Sequence, residues 1–285
     1  MSLSNNAAGV LYIVATPIGN LQDISARALE VLASVDLIAA EDTRQSKKLL
    51  SHYGIGTALR AVHDHNERDI TALLLKKLAA GINIALVSDA GTPLISDPGF
   101  YLVRAARQAG ITVVPLPGPS ALVAALSVAG LPTDRFCFEG FLPAKATARR
   151  QRLASLVEAS CTLVFYESSH RIVDSVADMA ELLGAEREAT LARELTKTFE
   201  TVLSGTLAQL LSQLQADANQ QKGEFVVMVH GAPPRDAAAI DAASEQVLQV
   251  LMSELALKQA AALAAKITGV SKNALYEYGL QLKRK

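Results

Sequence analysis

The sequence contains no tryptophan, only two cysteines and no appreciable excess of either charge. The absence of tryptophan disfavours a carbohydrate-binding protein. Cys137 and Cys161 each lie in an apolar run without metal-ligand spacing, so we predict buried free thiols in a reducing compartment. With 27 Lys and Arg against 28 Asp and Glu, the chain has no global attraction for nucleic acid. Any site for a polyanion must therefore be local.

Long apolar segments and the common nucleotide-binding glycine patterns are also missing. No apolar run reaches about 18 residues, and the first ten residues lack the basic and apolar regions of a secretory leader. We therefore expect a soluble, cytoplasmic protein that does not enter a membrane. Neither G-x-G-x-x-G nor G-x-x-x-x-G-K-[ST] occurs. This removes most support for dinucleotide-binding and P-loop proteins.

The most informative segment is Ile82–Gly99, with the sequence INIALVSDAGTPLISDPG. Its first six residues form an apolar, β-branched run that predicts a buried strand. The strand leads into Ser88–Pro93, where every residue is small, rigid or able to hydrogen-bond. Such a loop at the carboxyl end of a strand suits a ligand that lies against backbone amides. On spacing alone, an ordinary strand-to-helix turn explains it equally well.

Polar clusters also follow the other strands of the first half. Apolar strands at 10–15, 35–40 and 61–62 alternate with helical patterns, which predicts an α/β domain with a parallel sheet and its loops on one edge. The second strand ends in Glu41-Asp42-Thr43-Arg44, which is either a capped helix N-terminus or part of a substrate site. The third leads into His63-Asp64-His65. His-x-His without a third ligand at metal-like spacing is weak evidence, and we predict no metal site.

A third candidate loop is Pro117-Gly118-Pro119-Ser120-Ala121, which follows a strand at 111–115. Pro-Gly-Pro forms a rigid turn, and Ser120 is placed to cap the helix that starts at Ala121. A helix N-terminus directed into a cleft suits a carboxylate or another anion. A plain capped helix without a ligand fits the same residues.

The second half of the chain predicts a mixed sheet. Strand patterns recur at 136–141, 162–166, 189–192, 201–206 and 223–231, and some connections are too short for a crossover helix. Residues 145–152 carry four cations and no acid. A solvated helix face is the usual explanation for such a run, and a phosphate-contacting loop is the competing one.

Residues 237–285 form an almost purely helical tail. Gly269 marks a turn and Ser271 a helix start, a pattern typical of helix-turn-helix modules. From Lys266 onward, five cations stand against one acid, so contact with nucleic acid competes with a simple packing role. We predict an N-terminal α/β domain at 1–119, a second α/β domain at 120–232 and a small helical C-terminal module at 237–285.

Seven motifs follow one another in a specific order between residues 10 and 231. They are Val14-Ala15-Thr16-Pro17-Ile18-Gly19-Asn20-Leu21, Ala40-Glu41-Asp42-Thr43-Arg44, His63-Asp64-His65-Asn66-Glu67, Ser88-Asp89-Ala90-Gly91-Thr92-Pro93, Pro117-Gly118-Pro119-Ser120-Ala121, Tyr166-Glu167-Ser168 with His170-Arg171-Ile172, and Arg193-Glu194-Leu195-Thr196-Lys197. Together they resemble the tetrapyrrole methylase superfamily, the class III S-adenosylmethionine-dependent methyltransferases. The porphyrin-modifying branch has a Gly-Asp-Pro type loop where this chain has Ser-Asp-Ala-Gly, which favours the branch that modifies ribosomal RNA.

The resemblance implies two α/β domains with S-adenosyl-L-methionine in the cleft between them. Ser120 and Ala121 would hold its methionine end at a helix N-terminus, and Tyr166 with the segment from His230 to Ala232 would close over the adenine. The residues that the motifs assign to the cofactor site are Pro17, Asp89, Ala90, Gly91, Ile95, Ser120, Ala121, Tyr166, His230 and Ala232.

For the reaction, the resemblance implies methylation of the ribose 2′-hydroxyl of a decoding-centre cytidine in 16S rRNA, free or within the 30S subunit, by a homodimer. The chemistry needs an in-line geometry and a group that accepts the hydroxyl proton. Candidates for proton acceptance or substrate positioning are Glu41, Asp42, His65, Glu67 and Glu194. Candidates for RNA phosphate contacts are Arg44, Lys145, Arg149, Arg150, Arg152, Arg171 and Arg193.

Two other functions stay open. A tetrapyrrole or other small-molecule methyltransferase on the same fold would have no need of the basic run at 145–152 or of the cationic tail. A non-enzymatic nucleic-acid-binding protein acting through the tail would leave the cleft motifs without a purpose.

Overall fold

The chain divides into two compact units at the boundary between Ala232 and Pro233. The computed structural model describes residues 8–63, 66–233, 240 and 242–283. The first unit is built on two five-stranded sheets with helices on their faces, and the described part of the second consists of three helices. The predicted fold class is therefore confirmed.

The first sheet contains five parallel strands in the order β3-β2-β4-β1-β5. The strands are β1 (Leu11–Val14), β2 (Leu37–Ala40), β3 (Leu59–Ala61), β4 (Ile84–Val87) and β5 (Val113–Leu116). The helices between them are α1 (Ala26–Ser34), α2 (Thr43–His52), α3 (Glu67–Ala79) and α4 (Phe100–Gln108). All four residues of β4 are buried, because a parallel sheet is covered on both faces.

The loops that follow the strands gather at one edge of this sheet, as the sequence predicts. β1 and β4 are neighbours, and a short bridge joins the loops that follow them. The N–H of Thr16 donates to the carbonyl of Gly91 at 2.9 Å, and the N–H of Gly91 donates back to Thr16 at 3.0 Å. Ligands of open α/β sheets bind at this edge. The small-residue loop after β4 is thus held where a ligand would enter.

The second sheet is mixed, in the order β6-β7-β10-β8-β9, which confirms the prediction from its short connections. Its strands are β6 (Phe136–Phe141), β7 (Thr162–Ser168), β8 (Glu188–Arg193), β9 (Thr201–Thr206) and β10 (Glu224–Val229). Only the β6–β7 pair is parallel among these strands, and the others pair antiparallel. The accompanying helices are α5 (Ala121–Val128), α6 (Ala146–Ala154), α7 (Ile172–Leu183) and α8 (Leu207–Ala216).

The two faces of the second sheet carry separate cores. Leu153 of α6, Val176 of α7 and Leu210 of α8 are fully buried against one face. On the other face, Ala125 and Leu126 of α5 pack on apolar residues of the sheet. Because α5 belongs to the core of the second sheet, we propose the boundary between the two α/β domains at 119/120, immediately before this helix.

The C-terminal unit packs three helices, α9 (Ala242–Glu254), α10 (Leu257–Thr268) and α11 (Lys272–Leu282), around small and branched apolar residues. Gly269 ends α10 with φ of 77°, a left-handed conformation that glycine adopts without strain. The predicted turn is therefore confirmed. Ser271 is at the N-cap position of α11, but its side chain makes no capping hydrogen bond, so the prediction of a side-chain cap is wrong.

Among the residues that the structure describes, the longest helices are α3 and α9, with 13 residues each. In the described part of the chain, no helix is long and apolar enough to cross a membrane.

The two cysteines differ in exposure. Both are free thiols, and Cys161 is buried as predicted, whereas Cys137 is exposed. β6 is an edge strand of the second sheet, which leaves part of its surface open to solvent. The prediction that Cys137 is buried is therefore wrong.

Candidate active site

A cavity of about 330 Å³ lies between the carboxyl edge of the first sheet and the second sheet. This volume is within the range of small-molecule sites. The loop after β4 supplies Asp89, Ala90, Gly91, Thr92, Ile95, Ser96 and Asp97, and the start of α5 supplies Ser120 and Ala121. The second sheet supplies Phe141, Tyr166, Glu167, Ser168, Ala192, Glu224, Phe225 and Val226. We call this space the donor cavity, because the resemblance to methyltransferases implies a methyl donor here.

The loop after β4 is held in a strained conformation that turns it toward the cavity. Leu94 and Ser96 have positive φ values of 74° and 68°, which side-chain-bearing residues rarely adopt. Gly91 has φ of 80°, which glycine tolerates. The hydroxyl of Thr92 donates to the carbonyl of Pro119 at 3.0 Å and joins this loop to the one before α5. The backbone of both loops is therefore fixed before any ligand binds.

Asp89 connects the loops that follow β4 and β2. Its Oδ1 accepts a hydrogen bond from the N–H of Asp42 at 2.9 Å, and its own N–H donates to Oε2 of Glu41 at 3.3 Å. The neighbouring strands β2 and β4 bring these three acids together at one edge. Glu41 and Asp89 line the donor cavity. The structure thus assembles two candidates for catalysis and one for cofactor binding.

The start of α5 faces the cavity and is braced by Tyr166. Ser120 is at the N-cap position as predicted, but its side chain makes no capping hydrogen bond. The N–H of Leu122 donates instead to Oη of Tyr166 at 3.1 Å. Phe138 and Phe141 pack edge-on against the Tyr166 ring, and burial raises the pKa of this phenol. A helix N-terminus with an aromatic wall suits a ligand that has a carboxylate and an apolar ring.

Three of the residues assigned to the cofactor are not in the lining of the cavity. Ile18 lines it, whereas Pro17 is the preceding, half-buried residue. The first residues of β10 line the cavity, and the strand then leads away from it. His230 therefore lies about 13 Å along the strand direction from Val226. The N–H of Ala232 donates a hydrogen bond to the carbonyl of Ala159, at the same end of β10 as His230. The prediction that His230 and Ala232 close over the ligand is wrong.

A second, more open groove of about 670 Å³ adjoins the donor cavity. Its residues come from the loop after β1 (Gly19, Asn20, Leu21 and Gln22), from the end of α2 (His52), and from the loop between β8 and β9 (Glu194, Thr196, Lys197, Thr198 and Phe199). Lys197 lines both spaces. A Cβ at Gly19 would collide with Thr196 and Lys197, so glycine is required where the two loops meet. We call this space the acceptor groove, because the resemblance to methyltransferases implies a methyl acceptor next to the donor.

Glu194 and Lys197 form a charged pair at the junction. Nζ of Lys197 is 2.8 Å from carboxylate oxygens of both Glu194 and Glu224. Burial alone would raise the pKa of Glu194, but Lys197 and the N–H of Glu224 outweigh it and lower the pKa. Burial alone would lower the pKa of Lys197, but the two carboxylates raise it. Both side chains are therefore charged at neutral pH.

The catalytic candidate Asp42 has a structural role. Asp42 caps α2 and pairs with Arg44, whose hydrogen bonds lower the pKa of Asp42 to about 2. This makes Asp42 a poor base. His65 lies outside the described residues, and so does Asp64 of the His-x-His motif. Among the described residues, no group of His, Cys, Asp and Glu is arranged to hold a metal ion.

Glu67 is a structural residue. Its carboxylate is buried, and Oε1 accepts hydrogen bonds from the N–H groups of Gly99, Tyr101 and Leu102 at 3.1, 2.7 and 3.3 Å. It therefore satisfies the free backbone donors at the start of α4.

We expect Glu67→Ala to lower the free energy of unfolding by about 2 kcal/mol, because a buried helix start loses the acceptor of three N–H groups. Glu67→Gln keeps an oxygen in place and should recover part of this loss. Urea unfolding of both variants measures the difference. A catalytic carboxylate would show the opposite behaviour, namely full stability and no turnover.

The basic run at 145–152 is a helix, α6, and not a loop. Nε of Arg149 is 2.6 Å from Oδ2 of Asp178, and Arg149 is only 5% exposed. Arg150 pairs with Asp178 and Glu181, and Arg152 pairs with Glu139. Lys145 precedes the helix and is exposed. The run is therefore a helix and not a loop, and Arg149 is too buried to reach a phosphate, whereas RNA contact by the partly exposed Arg150 and Arg152 stays a prediction.

The other predicted RNA contacts also differ in accessibility. Arg193 is buried, and its guanidinium donates to the carbonyls of Lys222 and Phe199. Arg171 pairs with Glu167 at 2.7 Å and donates to the carbonyl of Leu142. Only Arg44 is extended into solvent, with 88% of its side chain exposed.

Sequence reasoning missed several residues of the two spaces. Lys197 and Phe199 are in or next to a motif that was recognised, but their role depends on the way the loop after β8 folds against Gly19. Glu224 and Phe225 are the first residues of a strand and had no polar pattern to mark them. Only the antiparallel pairing of β10 with β7 brings them beside Tyr166.

The residues of the donor cavity fit S-adenosylmethionine. Five carboxylates line it against one lysine (Glu41, Asp89, Asp97, Glu167 and Glu224 against Lys197), which suits a ligand with a sulfonium and an ammonium. The start of α5 suits its carboxylate, and the aromatic wall suits its adenine.

Two helix-flanked sheets with a small-molecule cavity between them are the architecture of one class of methyltransferase. The chain belongs to the tetrapyrrole (corrin/porphyrin) methylase family, whose model matches residues 10–211. It is an S-adenosylmethionine-dependent enzyme. A second family, described as the RsmI C-terminal HTH domain, matches residues 238–283.

Particular relatives cover nearly the whole chain. Ribosomal RNA small subunit methyltransferase I of Pseudomonas aeruginosa is 58% identical over 276 residues, which are 96% of this chain and 98% of that protein. The protein of the same name from Escherichia coli O157:H7 is 56% identical over 98% of this chain and 97% of its own length.

Solved structures share the fold at low sequence identity. Uroporphyrin-III-C-methyltransferase from Thermus thermophilus has a TM-score of 0.55 and 21% identity, and the match covers 78% of this chain and 94% of that one. The methyltransferase CobJ has a TM-score of 0.58 and 20% identity, with 79% and 95% covered. A further structure of the uroporphyrin enzyme, at a TM-score of 0.53 and 17% identity, contains S-adenosylhomocysteine and covers 77% of this chain and 97% of that one.

Proposed function

We propose that the enzyme methylates the ribose 2′-hydroxyl of a cytidine in the decoding centre of 16S rRNA. The observation that carries the substrate class is the 56–58% identity, over nearly the full length, to several proteins named ribosomal RNA small subunit methyltransferase I. The open, polar groove beside the donor cavity supports a macromolecular acceptor, because a polynucleotide needs a site with free access from solvent.

The residues of the donor cavity hold the methyl donor and keep its position fixed. S-adenosylmethionine supplies the methyl group from a sulfonium that is itself a strong leaving group. Asp89, held by hydrogen bonds with Asp42 and Glu41, would place its carboxylate beside the positive charge of the donor. Ser120 and the first N–H groups of α5 would donate hydrogen bonds to its carboxylate, and Tyr166 holds that helix start in place. Pro17 acts indirectly, by setting the conformation before Ile18.

Glu194 orients the acceptor hydroxyl. Its lowered pKa makes it a weak base, so it acts as a hydrogen-bond acceptor that aligns the hydroxyl and takes up the proton late in the transfer. Lys197 keeps the carboxylate fixed at 2.8 Å and adds a positive charge at the border of the two spaces. Positioning then accounts for most of the rate.

RNA phosphates meet a basic face on α2. Arg44, Lys47 and Lys48 of this helix are exposed, and the helix contains no acid. Its last residue, His52, lines the acceptor groove, so the face leads along the helix to the groove. Lys145 adds another exposed cation. The buried Arg149 and Arg193 are not part of this surface.

The helical tail provides a further basic element. Lys258, Lys266 and Lys272 are exposed on α10 and α11. We propose that these lysines contact RNA, in keeping with the helix-turn-helix description of the matching family. We also propose that the enzyme works as a homodimer in the cytoplasm, where its RNA substrate is present.

Methyl transfer from labelled S-adenosylmethionine to 30S subunits, to naked 16S rRNA and to a porphyrinogen tests the proposal. We expect label in the RNA and 2′-O-methylcytidine after nucleoside mass spectrometry. A methylated base would exclude the ribose as acceptor, and label in the porphyrinogen alone would favour a tetrapyrrole methyltransferase. A chain that binds RNA but not the donor would be a non-enzymatic binding protein.

A further inference from the structure

We propose that the acceptor groove binds the nucleobase of the nucleotide to be methylated, stacked on the ring of Phe199. This inference rests on the proposed function, since it specifies how an RNA acceptor is held. The groove shares Lys197 with the donor cavity, so a nucleoside in it would have its ribose next to the donor.

The ring of Phe199 is exposed to solvent, although the hydrophobic effect favours burial of such a side chain. Its side chain is 68% exposed, the largest exposure of any large hydrophobic residue in the described part of the chain. Exposed aromatic rings beside polar groups are the usual stacking platforms for single-stranded RNA, because every base has a π-face. Asn20 and Gln22 bring amide groups to the same groove, and amides can bond to a base edge.

The loop that carries Phe199 is fixed by buried and charged groups. The guanidinium of Arg193 donates to the carbonyl of Phe199 at 3.1 Å, and the hydroxyl of Thr201 donates to the same oxygen at 3.1 Å. The carboxylate of Glu200 accepts from the N–H of Thr196 at 2.6 Å. Arg193, assigned to RNA by its motif, is therefore a positioning residue that holds the platform.

Two energetically unfavourable features of this loop are typical of a preorganised binding site. Glu194 and Thr196 have positive φ values of 51° and 66°, which are strained for residues with side chains. The hydroxyl of Thr196 is buried and has no hydrogen-bond partner among the described residues. Natural proteins rarely leave buried polar groups unsatisfied, so this hydroxyl is an energetic cost that the loop conformation carries.

The absence of tryptophan from the sequence allows a direct test. In the full-length Phe199→Trp variant, a single indole reports on the groove. We expect its fluorescence to be quenched when a 16S rRNA fragment containing the decoding centre is added. The matched control is Phe136→Trp, because Phe136 is also exposed but lies at the far end of β6 from Phe141. An equal response of both indoles, or none at position 199, would overturn the proposal.

Steady-state kinetics of Phe199 variants distinguish a stacking role of the ring from a role in folding. Phe199→Ala should raise the KM for RNA at least about fivefold and Phe199→Trp should raise it less, since base–aromatic stacking is lost only in the first variant. The Kd for S-adenosylmethionine should be unchanged in both. An unchanged KM in Phe199→Ala would reject the stacking role and leave the proposed function intact. Failure of the wild-type enzyme to methylate RNA would instead reject the proposed function.

Discussion

Arg149→Ala is expected to lower the free energy of unfolding by about 3 kcal/mol, although the sequence places this residue in a basic run suited to RNA. The guanidinium is 2.6 Å from Asp178, and only 6% and 12% of the two side chains are exposed. Truncation leaves Asp178 in a poorly solvated position with Arg150 as its remaining partner. For a unit of this size, the loss corresponds to a fall in Tm of roughly 6–12 °C.

Arg152→Ala is the matched control on the same helix. Its side chain is 51% exposed, against 6% for Arg149, so water can take its place beside Glu139, and its removal should cost less than the removal of Arg149. The double variant Arg149→Met with Asp178→Leu should recover most of the lost stability, because it removes the uncompensated charge and keeps the volume. Equal unfolding energies for Arg149→Ala and Arg152→Ala, with weaker RNA binding by the first, would restore Arg149 to the RNA surface.

The ion pair of Arg149 with Asp178 also makes the free energy of unfolding depend on pH. Burial alone would raise the pKa of Asp178, but the hydrogen bonds from Arg149 and Arg150 outweigh it and lower the pKa. A carboxylate with a lowered pKa in the folded state stabilises the fold above its unfolded pKa, and this contribution is lost as the pH falls through the folded value. The stability difference between wild type and Arg149→Ala should therefore persist at neutral pH and shrink below about pH 4.

The sequence predicts the elements well where hydrophobic periodicity is strong. β6 and β9 have the predicted bounds, and the parallel and mixed pairings follow from the lengths of the connections. The loop after β4 could also be located, because small residues at a strand end leave a readable pattern. These features depend on residues that are close in the chain.

What the sequence could not supply is the partner of each charge. A basic run looks the same whether its arginines reach solvent or, like Arg149, an acid 29 residues away. Glu67 stands in a motif with catalytic candidates, yet it caps a helix that begins more than 30 residues later. His230 follows a strand end like the residues that line the cavity, but the antiparallel direction of β10 takes it to the opposite edge. Each error comes from a contact that only the tertiary fold determines.

The largest effect on ligand binding is expected at Asp89, whose carboxylate faces the donor cavity. Asp89→Ala should raise the Kd for S-adenosylmethionine about 10- to 100-fold, the range for loss of a hydrogen bond to a charged group. Asp89→Asn keeps an oxygen that can accept from the N–H of Asp42, so the loop should stay in place while the negative charge is lost. We expect it to weaken binding by an intermediate factor, as calorimetric titration can measure.

Asp36 provides the matched control for these variants. Its Oδ2 accepts from the N–H of Asn83 at 2.8 Å, so it joins β2 and β4 as Asp89 does, but at the amino edge of the sheet. Asp36→Ala should therefore cost similar stability and leave the Kd unchanged. If Asp89→Ala and Asp36→Ala lose the same stability and both bind the donor as wild type does, Asp89 only clamps the two strands. Weaker donor binding in Asp89→Ala alone would show that the cavity binds the positively charged donor through this carboxylate. The reason is that the two variants differ in the edge of the sheet they affect.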